Sequence, residues 1–237
     1  MENVGDGIEV TQGFHFKSEA VARNFDEHVS KSVPEYDRMQ EMAANLSDWF
    51  IRDGSTVVDY GAATGTTLQR MMTRHSTKKV RWLGYDSSEE MIAEAKKKGI
   101  DCITLRDLED QTLMEFAKND FSVALYTAQF LRPDYREIFF RKVYHSLTTE
   151  GAFFLVEKVR CEDGLIFDIV QNIYWEGKLK NGYSAEQVLS KAKSLRGVMH
   201  PLTVRSIDEK LHRAGFEQVE LVFRNLFFCG WLAIKNR

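Results

Sequence analysis

The spacing of apolar residues changes period several times along the chain, and each change marks an element. Met39, Met42, Ala43, Leu46 and Trp49 recur at helical intervals, and with Pro34 as punctuation they predict helices over 18–31 and 35–51. At residue 56 that period is lost. Thr56-Val57-Val58-Asp59-Tyr60 reads as a short buried strand, Gly61-Ala62-Ala63-Thr64-Gly65 turns the chain, and a helix carries Leu68, Met71 and Met72. A second strand over 80–85 leads through Asp86-Ser87-Ser88 into a helix with Met91, Ile92 and Ala95, where Glu89 and Glu90 complement the helix dipole. A weak strand at 102–105, a strong one at 121–127, a helix at 136–147 and a buried strand at 151–156 continue the alternation. This pattern predicts an α/β fold with a mostly parallel, doubly wound sheet covered on both faces.

The stretch 164–200 breaks the rhythm. It is helical and aromatic, with Ile166, Ile169, Ile173, Tyr174 and Trp175, and Ser184 with Gln187 forms a capping box for a further helix. After a helix at 207–214 and Gly215, strands at 217–223 and 226–234 are close enough to form a hairpin. The expected organisation is an N-terminal helical extension over 1–51 and an α/β domain over 52–237 with a helical insertion at about 164–200. Residues 1–17, polar and glycine-containing, are expected to be loosely ordered.

Composition narrows the classes. A net charge of -3 gives no electrostatic case for direct nucleic-acid binding. Cys102, Cys161 and Cys229 are too few and too scattered for a disulfide scaffold, and no CxxC or HExxH spacing suggests a metal. The start lacks the apolar core of a signal peptide and no run of apolar residues is long enough to span a bilayer, so a cytoplasmic protein is expected.

The strongest chemical signal is 57–65. An acidic residue, Asp59, closes a strand, and Gly61, Ala62, Ala63 and Gly65 follow where a ligand must lie against the backbone. The glycine spacing is not that of a dinucleotide fingerprint, and no Lys-Ser/Thr follows as in a P-loop. A tight βα turn is the plain alternative. Asp86 closes the next strand, where a carboxylate accepts from both hydroxyls of a ribose, and Asp107, after the third strand, is placed to accept from an adenine amino group. Both could instead serve only as helix N-caps. Three acids at three successive strand ends fit one adenosine-bearing ligand.

A Rossmann-like unit ending in a β-hairpin is the arrangement of class I S-adenosyl-L-methionine (SAM)-dependent methyltransferases, and the chain resembles one branch closely: the bacterial carboxy-SAM synthases, which convert SAM and prephenate into carboxy-S-adenosyl-L-methionine for tRNA wobble-uridine modification. The stretches that carry the resemblance are Phe25-Asp26, Ser32-Val33-Pro34-Glu35-Tyr36, Val58-Asp59-Tyr60-Gly61, Asp86-Ser87, Gln129-Phe130-Leu131, Glu157-Lys158, Asn181-Gly182-Tyr183-Ser184 and 211–217. It implies that Tyr36 touches the ligand, that Gly61 and its neighbours approach the methionine moiety, that Asp86 and Ser87 hold the ribose, and that Asp107 and Leu108 flank the adenine. It also implies a homodimer whose helical insertion contributes to the partner's site.

Two positions depart from the family. Leu125 stands where the family has a ligand-contacting asparagine, and Ala192 where it has the arginine that pairs with the extra carboxylate. Val188, Ala192, Leu195 and Met199 share a helical stripe, which reads Ala192 as core-facing. Arg196, one turn on, is the candidate replacement. Gln129, Tyr183, Arg196 and His200 are candidates for the substrate site, and Tyr126, after the fourth strand, is site lining. His28, His145 and His212 read as ordinary packing or surface residues, and Lys178, Lys180, Lys191 and Arg196 as a basic cluster, either a solvated face or a surface that meets an anionic acceptor. No side chain stands out as a general base, which methyl transfer from a sulfonium does not require. The expected function is a SAM-dependent methyltransferase-type enzyme acting on a small or unidentified acceptor. The alternatives are a carboxy-SAM synthase with a rearranged carboxylate site and a non-catalytic SAM-binding protein.

Overall fold

The computed structural model describes residues 2–3, 8–10, 16–110 and 115–236. Most of the stretch expected to be loosely ordered therefore lies outside the described residues, although Glu2–Asn3 pairs antiparallel with Glu9–Val10. Seven strands form one sheet: β1 (Thr56–Tyr60), β2 (Arg81–Asp86), β3 (Ile103–Leu105), β4 (Asn119–Leu125), β5 (Leu147–Lys158), β6 (Gln218–Asn225) and β7 (Phe228–Ile234). Their order is β3-β2-β1-β4-β5-β7-β6. The first five pair in parallel, and β7 joins antiparallel to both β5 and β6. The predicted mostly parallel sheet with a terminal hairpin is what forms.

Successive residues of a strand face opposite layers, and the central strands are apolar on both. Val58, Tyr60, Phe153 and Leu155 join Phe139, Leu211 and Trp231 in one layer. Val57, Val123, Phe154 and Val156 join Met71 and Ala95 in the other. The helices are α1 (Glu19–Ser32), α2 (Tyr36–Ser47), α3 (Thr66–Arg74), α4 (Glu89–Lys97), α5 (Pro133–Ser146), α6 (Gly164–Lys180), α7 (Ala185–Ser194) and α8 (Val204–Ala214). Ser88 caps α4 by accepting from the Met91 N–H at 3.2 Å, and the Ser184–Gln187 capping box forms at the start of α7.

Three boundaries differ from the sequence pattern. Helix α5 starts at Pro133 rather than 136, because proline suits a first helical turn whose N–H groups have no partner anyway. Strand β5 starts at Leu147, and an irregular register opposite Asn119–Phe121 lets it pair before Gly151. Helix α2 ends at Ser47, so Trp49 lies outside the apolar stripe and is 80 % exposed.

The insertion docks on α1. Tyr174 on α6 donates to the Ser32 carbonyl at 3.1 Å, Asn181 donates to the Lys31 carbonyl at 2.9 Å, and the Tyr183 hydroxyl reaches the His28 carbonyl at 3.4 Å. The Asn-Gly-Tyr-Ser stretch is thus a clasp between the insertion and the N-terminal helices. It holds α6 and α7 over the carboxyl ends of the sheet.

Candidate functional site

The sheet reverses its winding between β1 and β4, and ligands of open α/β sheets sit at such a reversal, beyond the carboxyl ends of the strands. A cavity of about 320 Å³ lies there, with β1, β2, β4 and β5 as its floor and α1, α2, α6 and α7 as its roof. That is the lower end of the ~300–1,000 Å³ usual for small-molecule sites.

At one end Asp86, closing β2, is half spent on the backbone. One carboxylate oxygen accepts from the Ala63 N–H at 2.8 Å and the other from the Ser88 N–H at 2.9 Å. Burial raises its pKa, and those backbone bonds hold it back. The residue lines the cavity, and a carboxylate has acceptor capacity beyond these backbone bonds. Asp86 is therefore a capping group and a possible hydroxyl acceptor at once. Ser87, Asp107 and Leu108 line the same end. Asp107 accepts from the Glu109 N–H at 2.9 Å, and Arg106 lies over the Tyr85 ring at 4.7 Å.

The turn after β1 brings backbone to the cavity. The Gly61 and Ala62 N–H groups donate to the Tyr85 carbonyl at 2.8 and 3.0 Å. Gly61 has φ +76, and a Cβ there would meet Thr127 Oγ1 at 2.3 Å, so only glycine fits. Ala63 holds φ 47, a left-handed conformation that costs a non-glycine residue of order 1 kcal/mol and that the Asp86 bond supports. Gly65 instead caps α3 at φ +77, against Ile100, and does not line the cavity.

The middle of the cavity is acidic and aromatic. Asp59 is 2 % exposed, and burial, with the Asp86 charge behind it, pushes its pKa up to about 8. No donor among the described residues pairs with its carboxylate. Tyr126 sits at φ 60, its buried hydroxyl has no hydrogen-bond partner among the described residues, and its ring stacks on Tyr36 at 5.5 Å. Burial, then the Asp26 charge, raises the Tyr36 pKa. Leu125 lines the cavity beside them. Gln129 lines it too, but its side-chain carbonyl accepts from the Lys158 N–H at 2.6 Å and its backbone carbonyl from the His200 N–H at 2.8 Å.

The remaining candidates lie apart. Tyr183 is buried in the clasp on α1, Arg196 is exposed, and the His200 carbonyl accepts from Arg136 at 2.8 Å; none of the three lines the cavity. Ala192 is exposed, not core-facing. The pattern that placed it inward assumes a helix continuing to Met199, whereas α7 ends at Ser194 and its buried positions are Val188, Lys191 and Ser194. The basic face also divides: Lys180 and Arg196 are exposed, while Lys178 and Lys191 are buried and line the cavity, as does Lys158. Sequence reasoning grouped Lys178 and Lys191 with two exposed cations and missed Lys158 as cavity lining. A signal existed for Lys158, which closes a buried strand as Asp59 and Asp86 do, with the opposite charge.

A model for a methyltransferase domain matches residues 57–151. The carboxy-S-adenosyl-L-methionine synthase of Staphylococcus epidermidis is 34% identical over 93% of this chain and 96% of its own, and that of Wolinella succinogenes is 32% identical over 96% of each. Among solved structures, human N-acetylserotonin methyltransferase in complex with SAM superposes with a TM-score of 0.63 at 14% identity, over 94% of this chain and 58% of that one. The DhpI-SAM-HEP complex gives 0.60 at 18% identity, over 92% and 93%. Among the described residues no helix is long and apolar enough to cross a membrane.

Proposed function

Since the chain belongs to the carboxy-S-adenosyl-L-methionine synthase family and is a SAM-dependent transferase of class I methyltransferase fold, we propose that its cavity holds SAM with the adenosine toward Asp86, Ser87, Asp107 and Leu108 and the cationic sulfonium toward Asp59. Two observations support the fit: a buried carboxylate with no donor among the described residues, and a glycine turn that presents backbone to the cavity. When bound, SAM supplies an electrophilic methyl on a positively charged sulfur. The protein's own contribution is electrostatic and positional. Asp59 offsets the cation in a desolvated site, and the stacked Tyr36 and Tyr126 rings wall off water and present a face that attracts positive charge.

The reaction best supported is methyl transfer to a small acceptor. Ala192 carries that reading: where the family places the arginine that pairs with the extra carboxylate, this chain supplies no charge. A buried carboxylate without a cationic partner costs several kcal/mol. One observation favours a second reading, a carboxy-SAM synthase using SAM and prephenate with a rearranged carboxylate site. Lys191, one residue earlier, is 8 % exposed and lines the cavity, which makes it a better-placed substitute than Arg196. Mass spectrometry of the nucleoside retained by the purified protein, and of the products formed from SAM with and without prephenate, separates the two. Carboxy-SAM, retained or formed, overturns the first reading.

The proposal includes a homodimer. Leu165, Ile166, Ile169, Ile173, Trp175 and Leu179 on α6 are all more than two-fifths exposed, an apolar face that suits a second copy of this chain. A cytoplasmic setting belongs to the same reading and fits three unpaired cysteines.

A further inference from the structure

Helix α1 covers the cavity but belongs to neither apolar layer of the sheet domain. Phe25, His28, Val29 and Ser32 line the cavity from its side, yet among the described residues none of α1 joins either of the two large core clusters. Its apolar hold is a small separate cluster, Val21 and Ala22 with Met91 of α4 and Ile8. The rest of its hold is polar. At its end the Lys31 and Ser32 carbonyls accept from Asn181 and Tyr174 of the insertion. In its middle, three donors converge on the half-buried carboxylate of Asp26. The Thr64 hydroxyl donates to one oxygen at 2.7 Å and the Thr66 hydroxyl to the same oxygen at 3.0 Å, while the Lys98 ammonium pairs with the other. Lys98 also donates to the Thr66 hydroxyl at 3.2 Å, which ties the network together.

The three donors come from the parts of the domain that frame the cavity. Thr64 belongs to the glycine turn, Thr66 opens α3 and Lys98 ends α4. Thr64 and Thr66 line the cavity, whereas Asp26 does not. The turn is thus held by two acids: Asp86 of β2 takes the Ala63 N–H, and Asp26 of α1 takes the two hydroxyls. A helix fastened by one small apolar cluster and a set of hydrogen bonds opens at lower cost than the core around it. Asp26 meets protein donors and not the cavity, so it favours the closed arrangement by the same factor with the cavity full or empty. Its loss makes opening more frequent in both states. Entry and exit of a ligand then accelerate together, and the equilibrium affinity stays where it was.

We propose that Asp26 is a positioning residue that latches α1 across the bound nucleoside, so that breaking this latch sets how fast SAM enters and its product leaves. The proposal rests on the SAM reading of the cavity, and the test keeps the two apart. Titration of the full-length wild type with S-adenosylhomocysteine comes first; failure to bind sinks the SAM reading. Stopped-flow mixing then gives association and dissociation rates. In Asp26→Ala both rates should rise roughly 10- to 100-fold, with the Kd within about threefold of the wild type. Asp26→Asn keeps an acceptor for the two hydroxyls and loses the ion pair, so its rates should fall between, and Lys98→Met should raise both rates by a smaller factor than Asp26→Ala. Hydrogen exchange of the ligand-free protein tests the latch apart from the ligand's identity. Amides of α1 should exchange faster in the variants while those of β5 and α5 exchange as in the wild type. Should Asp26→Ala fail to fold, the Asn and Met variants carry the same measurements. The proposal is overturned if neither rate changes, or if dissociation rises alone, which would make Asp26 a support of the ligand's contacts and not a latch. It is equally overturned if α1 exchanges as in the wild type, or if β5 and α5 speed up with it, which would mark a general loss of stability.

Discussion

Replacing Asp59 by asparagine should make the ligand-free protein more stable while weakening its hold on SAM. The carboxyl ionises near 3.8 when solvated, whereas burial and the Asp86 charge push it up to about 8 in the folded protein. Between those values the unfolded chain has released a proton that the folded chain keeps. Rising pH therefore favours unfolding by ~1.4 kcal/mol per unit. The penalty is absent below the solvated value, grows across the window and levels off above the folded one. At neutral pH, about three units into the window, it amounts to ~4 kcal/mol. Asparagine does not ionise and carries none of it. At ~2–4 °C per kcal/mol for a chain of this length, the variant should melt about 8–16 °C higher near neutrality, and the gap should close as the pH falls toward 4. In the complex the sign reverses, because the lost charge-assisted interaction is worth ~1.5–3 kcal/mol and SAM should bind roughly 10- to 100-fold more weakly. Calorimetric melting of both proteins from acid to alkaline pH, with and without SAM, measures both effects. A variant that melts at or below the wild type above neutral pH, or a gap that does not change with pH, would refute the reasoning.

Three further outcomes follow from the packing. Gly61→Ala should cost at least the ~1–2 kcal/mol of a left-handed alanine, and more because its Cβ would collide with Thr127; thermal melting and loss of S-adenosylhomocysteine binding report it. Arg136 and Glu157 form a fully buried pair at 3.5 Å, with Glu157 pushed up to about 7 by burial. Arg136→Met should therefore lose ~3–5 kcal/mol by chemical denaturation, and adding Glu157→Gln should recover much of it; a double variant no better than the single would show that the pair's charge is not the issue. Ile169→Asp with Ile173→Asp, both on the exposed face of α6, should turn a dimer into a folded monomer by sedimentation velocity.

What the sequence revealed and what it hid divide along a physical line. Strands, helix caps and the glycine turn are set by neighbours in sequence, so the acids closing β1 and β2, the cap at Ser88 and the capping box at Ser184 were legible from spacing. The inward turn of a side chain on the insertion is set by what the insertion packs against. Lys178 and Lys180 are indistinguishable in composition, and only the docking of Tyr174 and Asn181 on α1 puts the first inside and leaves the second in water. The same logic moved the buried stripe of α7 by one position. Val188, Ala192, Leu195 and Met199 look like a core face, but α7 ends at Ser194, Gly197 turns the chain at φ +72, and Lys191 occupies the inward position. Apolar periodicity reads a helix against a hydrophobic neighbour, and here the neighbour is a cavity with polar work to do. Asp59, Lys178 and Lys191 break the rule that charges stay in water, and with the half-buried Lys158 they line that cavity. Local rules fail where a ligand rather than the protein completes the packing. The misplaced residues therefore mark the site more sharply than the correctly placed ones.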